Sequence, residues 1–166
     1  MKKYILLVLT VMLGNAAFAH SESFKPAFVD TLVAPYLQIQ AGLASDDLAA
    51  SVSAADQLAK ALEAAPDKAD AQATVTALRA STTGIRSAKD LKAARKQFPA
   101  LSSELQLLVE HVGTTGKTPL FRAYCPMASD GKGGHANWLQ ADETIMNPYY
   151  GAQMLHCGVI DKQIAE

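Results

Sequence analysis

"LKAARKQFPALSSELQLLVEHV", residues 91–112, decides the architecture. Leu91, Ala94, Phe98, Leu101, Leu105, Leu108 and Val112 recur at alternating spacings of 3 and 4. Only a helix brings such positions onto one stripe, and this alternation is that of a bundle seam. Gly113 marks its end, Ser87 its cap, and Pro99 predicts a bend. One helix cannot bury a stripe of that length alone, so partners are expected upstream.

The upstream chain supplies three. Phe24, Phe28, Leu32, Tyr36, Ile39 and Leu43 form one apolar face, with Pro26 in a first turn, Pro35 as a kink or break, and Gly42 near the end. Ser45 reads as the cap of a second helix, with Asp46 and Asp47 in its first turn and Leu48, Val52, Ala55, Ala59 and Leu62 inward. Pro66 closes it. A third helix is expected over about 67–82, with Ala71, Val75 and Leu78 inward and Gly84 as punctuation. Short connections favour antiparallel neighbours. The fold class is therefore mainly α: an antiparallel up-down-up-down four-helix bundle over residues 20–113. Phe28, Leu32, Leu58, Leu91, Phe98, Leu101 and Leu105 are its expected core.

Composition changes in residues 114–166. This segment holds both cysteines and the only tryptophan, together with Met127, Met146, Met154, His135 and His156. "FRAYCPMA" and "HANWLQA" read as extended and flank the glycine turn "SDGKGG", which predicts a β-hairpin. "NPYYG" is a turn, and "AQMLHCG" reads as one or two helical turns ended by Gly158. The bundle thus carries a C-terminal β-hairpin and short helix bearing the Cys/Met motifs.

The compartment governs how the sulfurs are understood. "MKKYILLVLTVMLGNAAFAH" has two lysines, an apolar run from Tyr4 to Leu13 and small residues ending Ala17-Phe18-Ala19. This is the pattern of a signal peptide, residues 1–19, cut before His20 and leaving one domain, 20–166. The run is too short to span a bilayer. The expected product is periplasmic, without membrane insertion, in a compartment where thiols oxidise. The net charge of −1 becomes more negative without Lys2 and Lys3, and offers no footprint for nucleic acid.

Pro126 biases Cys125 toward extended backbone, where Cys125 and Met127 share a face. In a helical turn Met154 and Cys157 share one. If the two pairs face each other they form a Cys2Met2 site, whose soft sulfurs select Cu(I) or Ag(I). His135 and His156 are further candidate ligands, His156 fitting better if its segment is extended. The same cysteines equally form a Cys125–Cys157 disulfide, which closes a loop of about 32 residues and stabilises by about 3–4 kcal/mol. Plain packing of the methionines is a third option. His20, freed by cleavage, would pair an α-amine with its imidazole, or simply be a frayed terminus.

Other motifs fail. "GTTGKT", 113–118, would put the first glycine of a phosphate loop at His111, behind a helix instead of a strand. C-x-x-C, C-x-x-C-H and nucleophile-elbow patterns do not occur, so no enzyme is expected.

"YCPMA", "NWLQ" and "NPYYGAQMLHCG", behind the alanine-rich "YLQIQAGLASDDLAA" of residues 36–50, resemble a bacterial periplasmic domain family of unknown function. Members occur alone or fused to adaptor proteins of copper and silver efflux systems. The matching blocks are Cys125-Pro126-Met127 and Asn147, Pro148, Tyr149, Gly151, Met154, Leu155, Cys157 and Gly158, with His156 outside the pattern. The resemblance implies a heavy-metal context, with copper as the candidate ion and an efflux adaptor or other envelope protein as partner. The function expected from residues and resemblance together is a copper carrier, sensor or efflux accessory. The alternative is a disulfide-stapled helical module that binds another envelope protein without metal.

Overall fold

The computed structural model describes residues 22–116, 118–129 and 134–165. The expected signal peptide, residues 1–19, and His20 lie outside the described residues. Four helices come first: α1 (Pro26–Ala44), α2 (Leu48–Ala61), α3 (Gln72–Arg86) and α4 (Leu91–Val112). Three strands follow: β1 (Leu120–Ser129), β2 (His135–Gln140) and β3 (Val159–Ala165). The protein is mainly helical, with a C-terminal three-stranded antiparallel sheet in the order β2-β1-β3.

The apolar stripes are what pack. Helix α1 lies against α2 and α4, α2 against α3, and α3 against α4; β2 packs on α4 and α1. Leu32, Leu58, Phe98, Leu101 and Leu105 are buried, whereas Phe28 and Leu91 are only partly covered at the margin of the same cluster. Trp138 and Leu139 of β2 belong to that cluster too. Tyr36 ties three elements: its ring stacks on Phe98 at 5.4 Å, its hydroxyl meets Ser102 Oγ at 2.7 Å, and Leu139 N donates to it at 2.9 Å. Burial raises the pKa of this phenol well above its ordinary value, so it stays protonated.

Several boundaries differ from the sequence expectation. Helices α1 and α4 run unbroken through Pro35 and Pro99. A missing backbone bond is outweighed where the flanking side chains, Leu32, Tyr36, Phe98 and Leu101, are all fully buried. Ser45 ends α1, its Oγ donating back to Ala41 O at 2.8 Å. Asp46 makes the reversal at φ 59°, and Asp47 caps α2 by accepting from Ala50 N at 2.8 Å. Likewise Ser87 ends α3, and Asp90 caps α4 through Ala93 N at 2.7 Å. Gly84 lies inside α3, where a β-carbon would sit 2.7 Å from Gln97 of α4; it permits helix approach and ends nothing. Gly113, at φ 84°, does stop α4.

The short C-terminal helix is reduced to one 3₁₀ turn, Gly151–Gln153. The segment after it enters β3, a strand that sequence reasoning did not find. Arg122 of β1 fastens that strand to the helices, donating to Asp161 at 2.7 Å and to Glu110 of α4 at 2.9 Å. No helix among the described residues is long and apolar enough to cross a membrane.

Candidate functional site: a cysteine pair between strand and loop

Cys125 sits on the central strand, opposite Ala136 of β2, and is fully buried. Its neighbour Tyr124 is opposite Val159 of β3. The next regular pair is Ser129 with His135, so Pro126, Met127 and Ala128 form a bulge without register partners. Proline cannot donate to the ladder, which is why the bulge falls here. The alternation of faces is thereby reset. Ala128 is buried, and Met127 is 65% exposed. Tyr150 Oη donates to Met127 O at 2.6 Å and holds the bulge from outside. The expected shared face of Cys125 and Met127 is lost to this bulge.

Cys157 arrives from a loop built on Asn147. That side chain is fully buried and hydrogen-bonded through both its oxygen and its nitrogen. Its Oδ1 accepts from Tyr149 N at 2.8 Å and from Tyr150 N at 3.3 Å, an Asx turn that starts the loop. Its Nδ2 donates to Cys157 O at 2.7 Å, and its main-chain N donates to Leu155 O at 2.8 Å. Gly158 then passes so close to the sheet that a β-carbon would meet Trp138 Cη2 at 2.7 Å and Tyr124 O at 3.0 Å. The loop delivers Cys157 Sγ to 3.1 Å from Cys125 Sγ, across 32 residues of chain.

Both cysteines are free thiols. Their separation is longer than a disulfide bond, about 2.05 Å. It is shorter than the roughly 3.8 Å that tetrahedral geometry needs between two sulfurs at about 2.3 Å from one ion. The pair thus stands between the covalent and the metal-bridged arrangement, within about 1 Å of either. The hydrogen bond to Cys125 is the first cause that raises the pKa of the Cys157 thiol, with burial and the neighbouring charge adding to it. The Cys157 Sγ therefore holds its proton more firmly than an isolated thiol until an oxidant or a soft ion displaces it.

The other expected ligands are placed as follows. Met154 is half-buried at φ −148° and ψ 46°, so the helical i, i+3 relation to Cys157 does not hold, although Cys157 N still donates to Met154 O at 3.0 Å. His156 is exposed, with Nδ1 at 2.9 Å from Ile145 O, which leaves Nε2 facing outward. His135 is exposed at the start of β2, its ring 5.6 Å from that of Tyr124. Met146 is partly buried and engaged through its backbone, its carbonyl accepting from Gln40 Nε2 at 2.6 Å. Among the described residues no group of three or more His, Cys, Asp or Glu converges as a metal cage. The dithiol is what the fold brings together.

The helices hold the loop through a second connection. Arg95 of α4 pairs with Asp46 and donates to Leu43 O at 2.6 Å and Pro148 O at 3.0 Å. Asp46 Oδ2 in turn accepts from Ala152 N at 2.9 Å. The Arg95 guanidinium, and then the Ala152 amide, hold the Asp46 carboxyl below the usual carboxylate range. Sequence reasoning put Asp46 in the first turn of a helix and gave Arg95 no role. Their link across about fifty residues leaves no local pattern.

Comparison with curated proteins and with solved structures returns no match. The model of the family described as "Protein of unknown function (DUF3347)" matches residues 32–117, from the middle of α1 to just past α4. That match spans just over half of the chain, and the chain belongs to this family of unknown function.

Proposed function

We propose that this is an exported, non-enzymatic binding protein whose Cys125/Cys157 dithiol takes a thiophilic ion, Cu(I) first among candidates, as cargo. The observation that carries this is the approach of the two Sγ atoms to 3.1 Å from segments 32 residues apart. Paired thiolates are the ligands that soft monovalent ions prefer over water and carboxylate. The four helices, read as an up-down-up-down bundle, are scaffold for the sheet and loop. The resemblance of the Cys-Pro-Met and Asn-Pro-Tyr blocks to a domain that accompanies copper and silver efflux adaptors supports the same choice. It suggests a carrier, sensor or accessory that meets an adaptor or another envelope protein in the periplasm. Met127 and Val159, exposed apolar side chains two residues from Cys125 and Cys157 respectively, suit that meeting. Met127 also offers a thioether to an ion entering or leaving.

A second reading is favoured by the complete burial of Cys125 and the outward turn of Met127. On that reading the pair is a disulfide that staples the loop to the sheet of an interaction module. The two exclude each other at one instant, because the S–S bond consumes both thiolates. Cu(I) retention against a competing chelator tests the proposal on reduced full-length protein. The wild type is expected to hold the ion and the Cys125→Ser/Cys157→Ser variant to lose it. Met127→Leu, at an exposed site, is expected to stay folded and lose less affinity than the double variant. Retention by wild type no better than by the double variant rejects the metal function. A count of free thiols in protein taken straight from the periplasm then decides the staple.

A further inference from the structure

The geometry points to Asn147 as the positioning residue of the cysteine pair: its buried carboxamide sets the distance between Cys125 and Cys157. This rests on the proposal that the pair acts as a dithiol, whether toward an ion or toward an oxidant.

The two sulfurs are supported very differently. Cys125 lies on the central strand, paired with Ala136 of β2 and directly after Tyr124, which pairs with Val159 of β3, so its backbone is held by the sheet. Cys157 has no strand partner. It stands at the end of a loop that leaves the core at Asn147 and re-enters at Gly158. Asn147 closes that loop on itself. Its backbone N reaches Leu155 O at 2.8 Å, its backbone O accepts from Gly151 N at 3.1 Å, and its Nδ2 reaches Cys157 O at 2.7 Å. The last bond is the one that acts on the cysteine itself. Cys157 N also donates to Met154 O at 3.0 Å, but within the loop itself; beyond the cysteine the chain is pinned where Gly158 presses against Trp138 and Val159 pairs with Tyr124. The carboxamide is also an unusual choice for such a place. A fully buried side chain with one acceptor engaged twice and one donor engaged once can be replaced by no residue of equal size that keeps both functions. Aspartate keeps the acceptor for Tyr149 and Tyr150, but sets a carboxylate oxygen against the Cys157 carbonyl. The turn survives and the tether to the cysteine becomes a repulsion.

The consequence is read as an effective concentration of one thiol at the other. In exchange with oxidised glutathione, the Cys125 Sγ–Cys157 Sγ bond forms and the glutathione S–S bond breaks. The two protein thiols give up two protons and two electrons, and two reduced glutathiones leave. The equilibrium constant of this exchange depends on how often the native fold holds the sulfurs in reach. General loss of stability does not shift it while the protein stays folded.

The test is that equilibrium, measured in glutathione buffers on full-length wild type, Asn147→Asp, Asn147→Ser and the control Tyr36→Phe. Tyr36→Phe removes a buried hydroxyl bonded to Ser102 and Leu139, away from the loop, and so destabilises without touching the tether. Asn147→Asp is expected to lower the constant at least tenfold, and Tyr36→Phe to leave it within twofold of wild type. Asn147→Ser, too short to reach Cys157 O, is expected to follow the aspartate variant and stands in for it if Asn147→Asp does not fold. Folded Asn147 variants with wild-type constants overturn the inference, as does an equal fall in the Tyr36 control. A wild-type protein that neither forms the bond in the most oxidising buffer nor retains Cu(I) ends the dithiol proposal itself, and the role of Asn147 with it.

Discussion

Replacing Gly158 with alanine puts a methyl group 2.7 Å from Trp138 Cη2 and 3.0 Å from Tyr124 O. Neither neighbour has room to yield. Trp138 is fully buried, its Nε1 donates to Gln140 Oε1 at 2.8 Å, and its ring meets Tyr149 edge-on at 5.9 Å. Tyr124 O belongs to the central strand. Forcing an extra carbon into such a place costs about 1–3 kcal/mol. The backbone adds its own cost, because φ is 154°, a value that residues with a β-carbon rarely adopt. Gly113 separates the two effects. It also has positive φ, at 84°, but a β-carbon there meets nothing within 4 Å. Gly113→Ala therefore reports backbone strain alone, about 1 kcal/mol. Gly158→Ala should exceed it by about 1–3 kcal/mol.

At about 2–4 °C per kcal/mol for a chain of this size, the gap between the two variants is about 2–12 °C in melting temperature. Circular dichroism on reduced protein measures it. The emission of Trp138, the only tryptophan, is an independent reporter and should change in Gly158→Ala alone. Equal melting temperatures with unchanged emission would refute the close approach, and with it the reason why the chain re-enters the sheet at this point.

Tyr36→Phe should cost about 1–3 kcal/mol by chemical denaturation, because Leu139 N and Ser102 Oγ lose a buried partner; a neutral result would mean that water reaches them. Asp46→Asn keeps a side chain tolerant of φ 59° and removes the charge. The folded pKa of Asp46 is lowered, so its stabilisation is present above the unfolded value of about 3.9 and lost as pH falls through the folded one. The stability gap between wild type and Asp46→Asn should therefore shrink in acid from about pH 4 downward, and a gap constant with pH would deny the pairing with Arg95. Cys157→Ser should lower stability by about 3–4 kcal/mol under oxidising conditions, from the entropy of a 32-residue loop, and by far less in reductant. Equal losses in both conditions would mean that the oxidised protein carries no such bridge.

Much of the fold was legible because helices announce themselves locally. The alternating spacing from Leu91 to Val112 is α4, residue for residue. The helix ends were less legible, because "ASDD" and "SAKD" each contain two residue types that cap, and the choice between them depends on the reversal that Asp46 makes. Gly84 looked like punctuation because sequence shows a missing side chain without the neighbour, Gln97, that requires it to be missing. Strand β3 was invisible for a related reason. "VIDKQIA" does not alternate, two irregularities interrupt its pairing with β1, and its partner lies some forty residues earlier. At the site, the cysteines were expected together and they meet. The methionines were placed by ideal periodicities that this chain does not keep. Pro126 signalled extended backbone, but not that three residues would bulge from the ladder and turn Met127 outward.

The family match and the cysteine pair occupy different parts of the chain, yet the second depends on the first. Residues 32–117 contain neither cysteine. They do contain the groups that hold the cysteine loop: Gln40 on Met146 O, Asp46 on Ala152 N, and Arg95 on Pro148 O. Away from the loop, Tyr36 adds an anchor for strand β2 through Leu139 N. Each of these anchors is a backbone group of the later segment satisfied by a side chain of the earlier one. The loop therefore takes its backbone course from the helices, and Tyr149 adds its ring to Phe98 of α4 at 5.7 Å. A segment 114–166 cut from the helices would lose all four anchors together with the apolar cover of Trp138 and Leu139. Its two sulfurs would then meet only as often as a flexible loop of 32 residues allows. The helical part is what turns two distant cysteines into a pair.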